Sequence, residues 1–153
     1  MVSFLFNTVT AVIVLFQFSL YQSETHLNLE NGLAVKGYDL VSYFSESKAV
    51  KGTKNFSYKY YGATYYFSSD KNLATFRKSP EQYLPQYGGY CAFAMGDYGE
   101  KVDINPKTFK VKEGKLFLFY NAYFNNTLTS WNEDEEKLKI SADKNWNNII
   151  NAK

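Results

Sequence analysis

Phe56-Ser57-Tyr58-Lys59-Tyr60-Tyr61-Gly62-Ala63-Thr64-Tyr65-Tyr66-Phe67 alternates aromatic and polar side chains at period two as far as Tyr61-Gly62, and then resumes from Thr64 to Phe67. A strand turns every second side chain to one face, so the alternation predicts two half-buried strands with the chain reversing at the Tyr-Gly pair. The stretch reads as a β-hairpin. On its C-terminal side, Ser68 or Ser69 can cap a helix in which Leu73 and Phe76 share a face, and Pro80 stops that helix. Pro80, with Ser79 before it, can open a second short helix that carries Tyr83 and Leu84 and ends at Pro85. Gly88-Gly89 then frees the backbone, and Tyr90-Cys91-Ala92-Phe93-Ala94-Met95 is an apolar run too short to assign by period.

On the N-terminal side, Leu27 to Val35 is a polar lead-in containing the turn pair Asn31-Gly32, and Gly37 to Phe44 begins the packed part of the chain. Thr108 to Val111 and Leu116 to Tyr120, joined through Lys112-Glu113-Gly114-Lys115, predict a second hairpin. Leu138, Ala142, Trp146 and Ile149 recur at steps of four and three, which predicts a C-terminal helix whose stripe covers one face of a small sheet. The fold class expected is α+β, with small antiparallel hairpins packed against short helices.

The 153 residues suit one domain, and a composition 45% hydrophobic, with 14 Tyr and 13 Phe, supplies a core. The net charge is +2 and the basic residues are dispersed, so the clustered positive charge of a nucleic-acid footprint is absent. The run Glu133-Asp134-Glu135-Glu136 reads as a solvated face or first turn of the late helix.

Residues 1–23 contain no Asp, Glu, Lys or Arg, and Ala11 to Phe16 form the apolar centre of the segment. A spanning helix wants about 20 apolar residues. This segment reaches that length only if Asn7, Thr8, Thr10, Gln17 and Ser19 are tolerated, so it is read as a signal peptide cut near Ser23. The expectation is export to the periplasm or the extracellular space, with residues 24–153 as a single domain and membrane attachment only if the segment stays uncleaved.

The string Lys36 to Phe44, the segment Tyr61 to Phe67, then Phe76, Pro80 and Tyr83, and above all Tyr87-Gly88-Gly89-Tyr90-Cys91-Ala92 resemble the secreted proteins of the YHS-domain family. The similarity continues through Gly114-Lys115-Leu116 and Trp131 to Ala142-Asp143 and Trp146. It implies a YHS-like fold and a small binding or accessory module whose ligand or partner is unknown. Leu40 stands where the family usually has proline. In the metal-binding relatives the resemblance implies cysteines at three positions that here hold Ser42, Ser68 and Asn72. Hydroxyl and amide groups cannot replace the soft anionic sulfur that holds zinc or copper(I), so the family's thiolate site is not expected.

Cys91 is the only cysteine, which excludes an intramolecular disulfide. With Met95 four residues on, it could form a soft copper(I) site if the segment is helical, although Cys and Met in apolar surroundings ordinarily pack as core. A thiol redox reading needs a base near Cys91, and the one imidazole, His26, lies in the polar lead-in. No nucleophile and base pair, paired carboxylates or phosphate-binding loop is recognisable, which makes an enzyme the weaker reading. Tyr38, Tyr87, Tyr90 and Cys91 are the candidate ligand-binding residues, since their rings carry polar handles and Gly88-Gly89 would admit a close approach to the backbone. The alternative for the two glycines is a tight turn between packed elements.

Overall fold

The computed structural model describes residues 26–152, so the expected signal segment lies outside the described residues. The fold is α+β, as the residue pattern predicts. Leu29–Glu30 (β1) and Leu33–Ala34 (β2) form a short hairpin across Asn31-Gly32, whose φ angles are 53° and 76°. The polar lead-in therefore forms the edge of a sheet. Thr53–Tyr60 (β3) and Ala63–Phe67 (β4) form the expected hairpin across Tyr61-Gly62, both with positive φ as a two-residue turn requires. The sheet order is β1-β2-β4-β3, and β2 meets β4 in parallel at Leu33 and Thr64.

A parallel pairing needs a crossover, which here includes Leu40–Ser45 (α1). The buried face of β4, formed by Ala63, Tyr65 and Phe67, packs on Leu40, Val41 and Tyr43 of α1 and on Phe76 of Asp70–Lys78 (α2). Ser69 caps α2 through its hydroxyl, which accepts from the Asn72 amide at 3.2 Å. The segment after Pro80 is a single 3-10 turn, Pro80–Gln82, in place of the second helix expected there. With Pro85 so close, the chain has no length in which to propagate an α-helix.

Asn105–Lys112 (β5) and Lys115–Phe119 (β6) form the second hairpin. From Leu116 onward β6 is buried on both faces: Leu116 and Leu118 enter the core of the first sheet, whereas Phe117 and Phe119 enter a second core with Met95, Trp131 and Ala142. Period two thus makes one strand a wall between two apolar clusters. A further hairpin, Asn121–Ala122 (β7) with Asn125–Asn126 (β8), leads into Thr127–Glu133 (α4) and Glu135–Asn151 (α5).

The run after Gly89 is helical at Ala92–Asp97 (α3). The apolar stripe of α5 covers α3 and the aromatic face of β6 rather than an open sheet. The two helices touch at Gly96, where a Cβ would lie 2.5 Å from the Leu138 carbonyl oxygen. Only glycine allows that approach.

Candidate functional site

Ser42, Ser68 and Asn72, the three positions at which the family resemblance implies thiols in metal-binding relatives, converge on one carboxylate. Asp39 is fully buried and caps α1, its Oδ1 accepting from the amides of Val41 at 2.9 Å and Ser42 at 3.3 Å. Its Oδ2 accepts from the Ser68 amide at 2.8 Å, the Ser68 hydroxyl at 2.6 Å and the Asn72 side-chain amide at 2.7 Å. Ser42 closes the arrangement from the other side, its hydroxyl lying 2.7 Å from the Asp39 carbonyl and 2.9 Å from that of Lys48. A buried carboxylate is tolerable only where donors replace its water, and here amides and hydroxyls do so without a cation. The donor set does not fit a soft metal ion, because it contains no thiolate or imidazole and its polar hydrogens are committed to oxygen. Among the described residues no group of three or more His, Cys, Asp or Glu side chains is placed to hold a metal.

Cys91 is also fully buried, at the start of α3, and is held in register by its amide on the Val102 carbonyl at 2.9 Å. Its Sγ accepts from the Tyr120 amide at 3.3 Å and lies 3.4 Å from Thr127 Oγ1. The Thr127 hydroxyl spends its proton on the Tyr120 carbonyl at 2.9 Å, so the thiol is the donor to Thr127. Met95 is one helical turn away and buried, but it packs with Phe117, Phe119 and Trp131 in the second core while Cys91 belongs to the first. The turn of α3 therefore places the two sulfur side chains in separate clusters.

Gly88 and Gly89 admit a close approach, and what approaches is the chain's own segment ahead of β1. The Asn28 amide donates to the Gly88 carbonyl at 2.9 Å, and the Asn28 side chain donates to the Gly89 carbonyl at 3.1 Å. A Cβ on Gly88 would overlap the His26 carbonyl oxygen and lie 2.9 Å from the Trp146 ring. Tyr90 joins the same seat, its hydroxyl donating to the Leu27 carbonyl at 3.1 Å. Tyr87 is buried with φ 56°, and its hydroxyl donates to Asp143 at 2.8 Å. Burial and that carboxylate both push the Tyr87 hydroxyl up from its ordinary value. Tyr38 stands apart beneath the Lys51 ammonium, 4.7 Å from the ring centre. The four candidate ligand-binding residues are not gathered around one opening, and the polar atoms of Tyr87, Tyr90 and Cys91 are already engaged within the chain.

His26, ahead of β1, makes contacts of its own. Its ring meets Trp146 edge to face at 6.1 Å, and Nδ1 lies 3.4 Å from the Lys101 ammonium. An ammonium can only donate, so Nδ1 accepts and the ring proton sits on Nε2. Burial and the Lys101 charge hold the imidazole below its ordinary value.

Beside this seat lies a cleft of 240 Å³, walled by Leu27, Leu29, Val35, Leu84 and Trp146, with Tyr65 in its lining. Tyr65 falls within the expected hairpin, but nothing in the sequence brings Leu84 and Trp146 to the same cavity. A wider groove of 760 Å³ runs over Ser68, Asn72, Thr75 and Tyr83.

No curated protein and no solved structure matches the chain. The segment that runs from the second residue of α1 to the buried Tyr87, and that carries Ser42, Ser68 and Asn72 around the Asp39 carboxylate, matches the YHS domain over residues 41–87.

Proposed function

We propose that the protein is an exported binding or accessory module on a YHS scaffold, working without thiolate metal chemistry. One observation carries the reading: the positions where metal-binding relatives would present sulfur are occupied by Ser42, Ser68 and Asn72, which are gathered around Asp39 with their hydrogen bonds made. A scaffold whose central polar site is closed on itself keeps its shape and leaves recognition to its surface. The packing of Cys91 against Thr127 and Tyr120 supports the same conclusion, because a thiol with both hydrogen-bonding roles filled has little need of a ligand. Export rests on the uncharged, apolar segment 1–23.

The test is a zinc(II) and copper(I) titration in competition with a coloured chelator. The unmodified protein is expected to leave both ions with the chelator. The triple substitution Ser42→Cys, Ser68→Cys and Asn72→Cys is expected to take up one zinc ion, since it restores soft ligands at converging positions. Uptake by the unmodified protein that disappears in Cys91→Ser would instead establish a metal handler. Export is tested by fusing residues 1–40 to alkaline phosphatase, which is active only outside the cytoplasm; an inactive, intact fusion would remove the exported part of the proposal.

A further inference from the structure

The cleft beside the Gly88-Gly89 seat has three properties that together define a ligand. Its lining contains no Lys, Arg, Asp or Glu, so nothing in it compensates a charge brought out of water. The walls are aliphatic and aromatic: Leu27, Leu29 and Val35 from the N-terminal part, Leu84 from the chain after the 3-10 turn, and Trp146 from α5. The volume is 240 Å³. An apolar cavity of about 150 Å³ holds one benzene molecule. The cleft therefore admits a single ring with a short substituent and excludes nucleotides and fused polycyclic molecules.

The third property is an unspent hydrogen bond. Tyr65 is 4% exposed, yet its hydroxyl makes no hydrogen bond to another described residue, in contrast to Tyr43, Tyr87 and Tyr90, whose hydroxyls each reach an oxygen of the chain. Every fully buried side-chain nitrogen or oxygen among the described residues has a partner. The Tyr65 hydroxyl is therefore not sealed off from open space, and Tyr65 lines the cleft. Burial, with Tyr60 nearby, pushes its pKa up to about 12, so at neutral pH it holds its proton and donates. A buried phenol in an apolar wall ordinarily finds a partner, and a ligand oxygen can supply one here.

We infer that the cleft binds a small, neutral, single-ring molecule carrying one hydrogen-bond-accepting oxygen, of the cyclohexanone or benzyl alcohol kind, with its ring between Leu84 and Trp146 and its oxygen on the Tyr65 hydroxyl. The inference rests on the binding-module reading and supplies its ligand class. The imidazole of His26, uncharged while Lys101 donates to it, also lines the cleft and adds no charge to it.

The test is a titration of the purified chain followed by amide and indole resonances, with cyclohexanone, methylcyclohexane and cyclohexanecarboxylate as probes. Cyclohexanone is expected to shift Leu27, Leu29, Val35, Gly88 and the Trp146 indole, and cyclohexanecarboxylate to bind at least tenfold more weakly. Tyr65→Phe removes a hydroxyl without a protein partner and should remain folded. It is expected to weaken cyclohexanone about fivefold to tenfold, the range of one hydrogen bond, and to leave methylcyclohexane unchanged. Leu84→Trp, which fills the cleft, is expected to abolish both. Equal cyclohexanone affinity in Tyr65→Phe would overturn the assigned ligand chemistry while leaving the cleft as a binding site. Resonances that respond to no probe would overturn the cleft itself. Neither outcome touches the metal titration, which decides the broader reading separately.

Discussion

Asp39 carries five hydrogen bonds on two oxygens, and each donor comes from a backbone amide, a hydroxyl or a side-chain amide. Replacing the carboxylate by the isosteric amide sets an NH2 group against donors whichever way it turns, toward Ser68 and Asn72 or toward the amides of α1. Asp39→Asn is therefore expected to destabilise the fold by about 2–4 kcal/mol, because it leaves buried donors facing a donor. Urea unfolding checks this, and a loss below about 0.5 kcal/mol, the usual scale of an indifferent surface change, would mean the carboxylate is not the organising group. Adjacent to Gly37-Tyr38, Asp39 reads as a turn former. That Ser68 and Asn72 reach it from some thirty positions away is a tertiary fact that no local periodicity contains. The resemblance marks residues 42, 68 and 72 as a set, but what fills the vacated space emerges only in the folded chain.

At the scale of elements, the two longer hairpins were legible because their period is short and their turns are marked: Tyr61-Gly62 and Glu113-Gly114 both fall where the pattern breaks, and both adopt positive φ, whereas the two-residue strands β1, β2, β7 and β8 are too short to show a period. The stripe of α5 was equally plain, but its partner was not. Six residues of α3 are too few to show a helical period, so the surface that Leu138, Ala142 and Trp146 cover looked like sheet alone. The acidic run before α5 turns out to be only partly a solvated face. Glu135 opens α5 and joins three elements, accepting from Lys110 at 2.9 Å and Lys112 at 2.9 Å on β5 and from the Trp131 indole at 3.1 Å on α4. Burial alone would raise its pKa, yet the bonds from both lysines and the indole outweigh burial and bring it down to about 2 from 4.5. A carboxylate depressed in the folded state stabilises the fold above its unfolded value and loses that contribution as pH falls through the folded one. Stability is accordingly expected to drop between pH 4.5 and 2 in the unmodified protein. Glu135→Gln should cost about 1–2 kcal/mol at pH 7, the scale of lost charge-assisted bonds, and flatten that acid limb. Urea midpoints across the range read both effects; a limb of unchanged steepness in Glu135→Gln would assign it to other carboxylates.

Across the whole molecule, β6 separates two apolar cores, and the segment from His26 to Asn28 crosses between the Gly88-Gly89 turn and the end of α5. Gly88 is the point on which this crossing depends. Its φ is +62° and a Cβ would meet the His26 carbonyl, so Gly88→Ala imposes a left-handed backbone cost of about 1–2 kcal/mol and also pushes the segment off its seat. The second effect has a signature of its own, because the Asn28 amide, bonded to the Gly88 carbonyl at 2.9 Å, should exchange with solvent much faster while the amides of β6 keep their protection. His26 adds a pH dependence whose sign follows from its depressed value. The folded state resists protonating an imidazole that accepts from Lys101 and packs on Trp146, whereas the unfolded chain protonates it near 6.5. The contribution is then present above pH 6.5 and is lost as pH falls below it. Protection of the Asn28 amide, corrected for intrinsic exchange, is expected to decline from pH 7.5 to 5, and His26→Gln, which cannot titrate, should remove the decline. If protection in His26→Gln follows pH as in the unmodified chain, the acid sensitivity of the crossing belongs to another group, and the imidazole only fills space against Trp146.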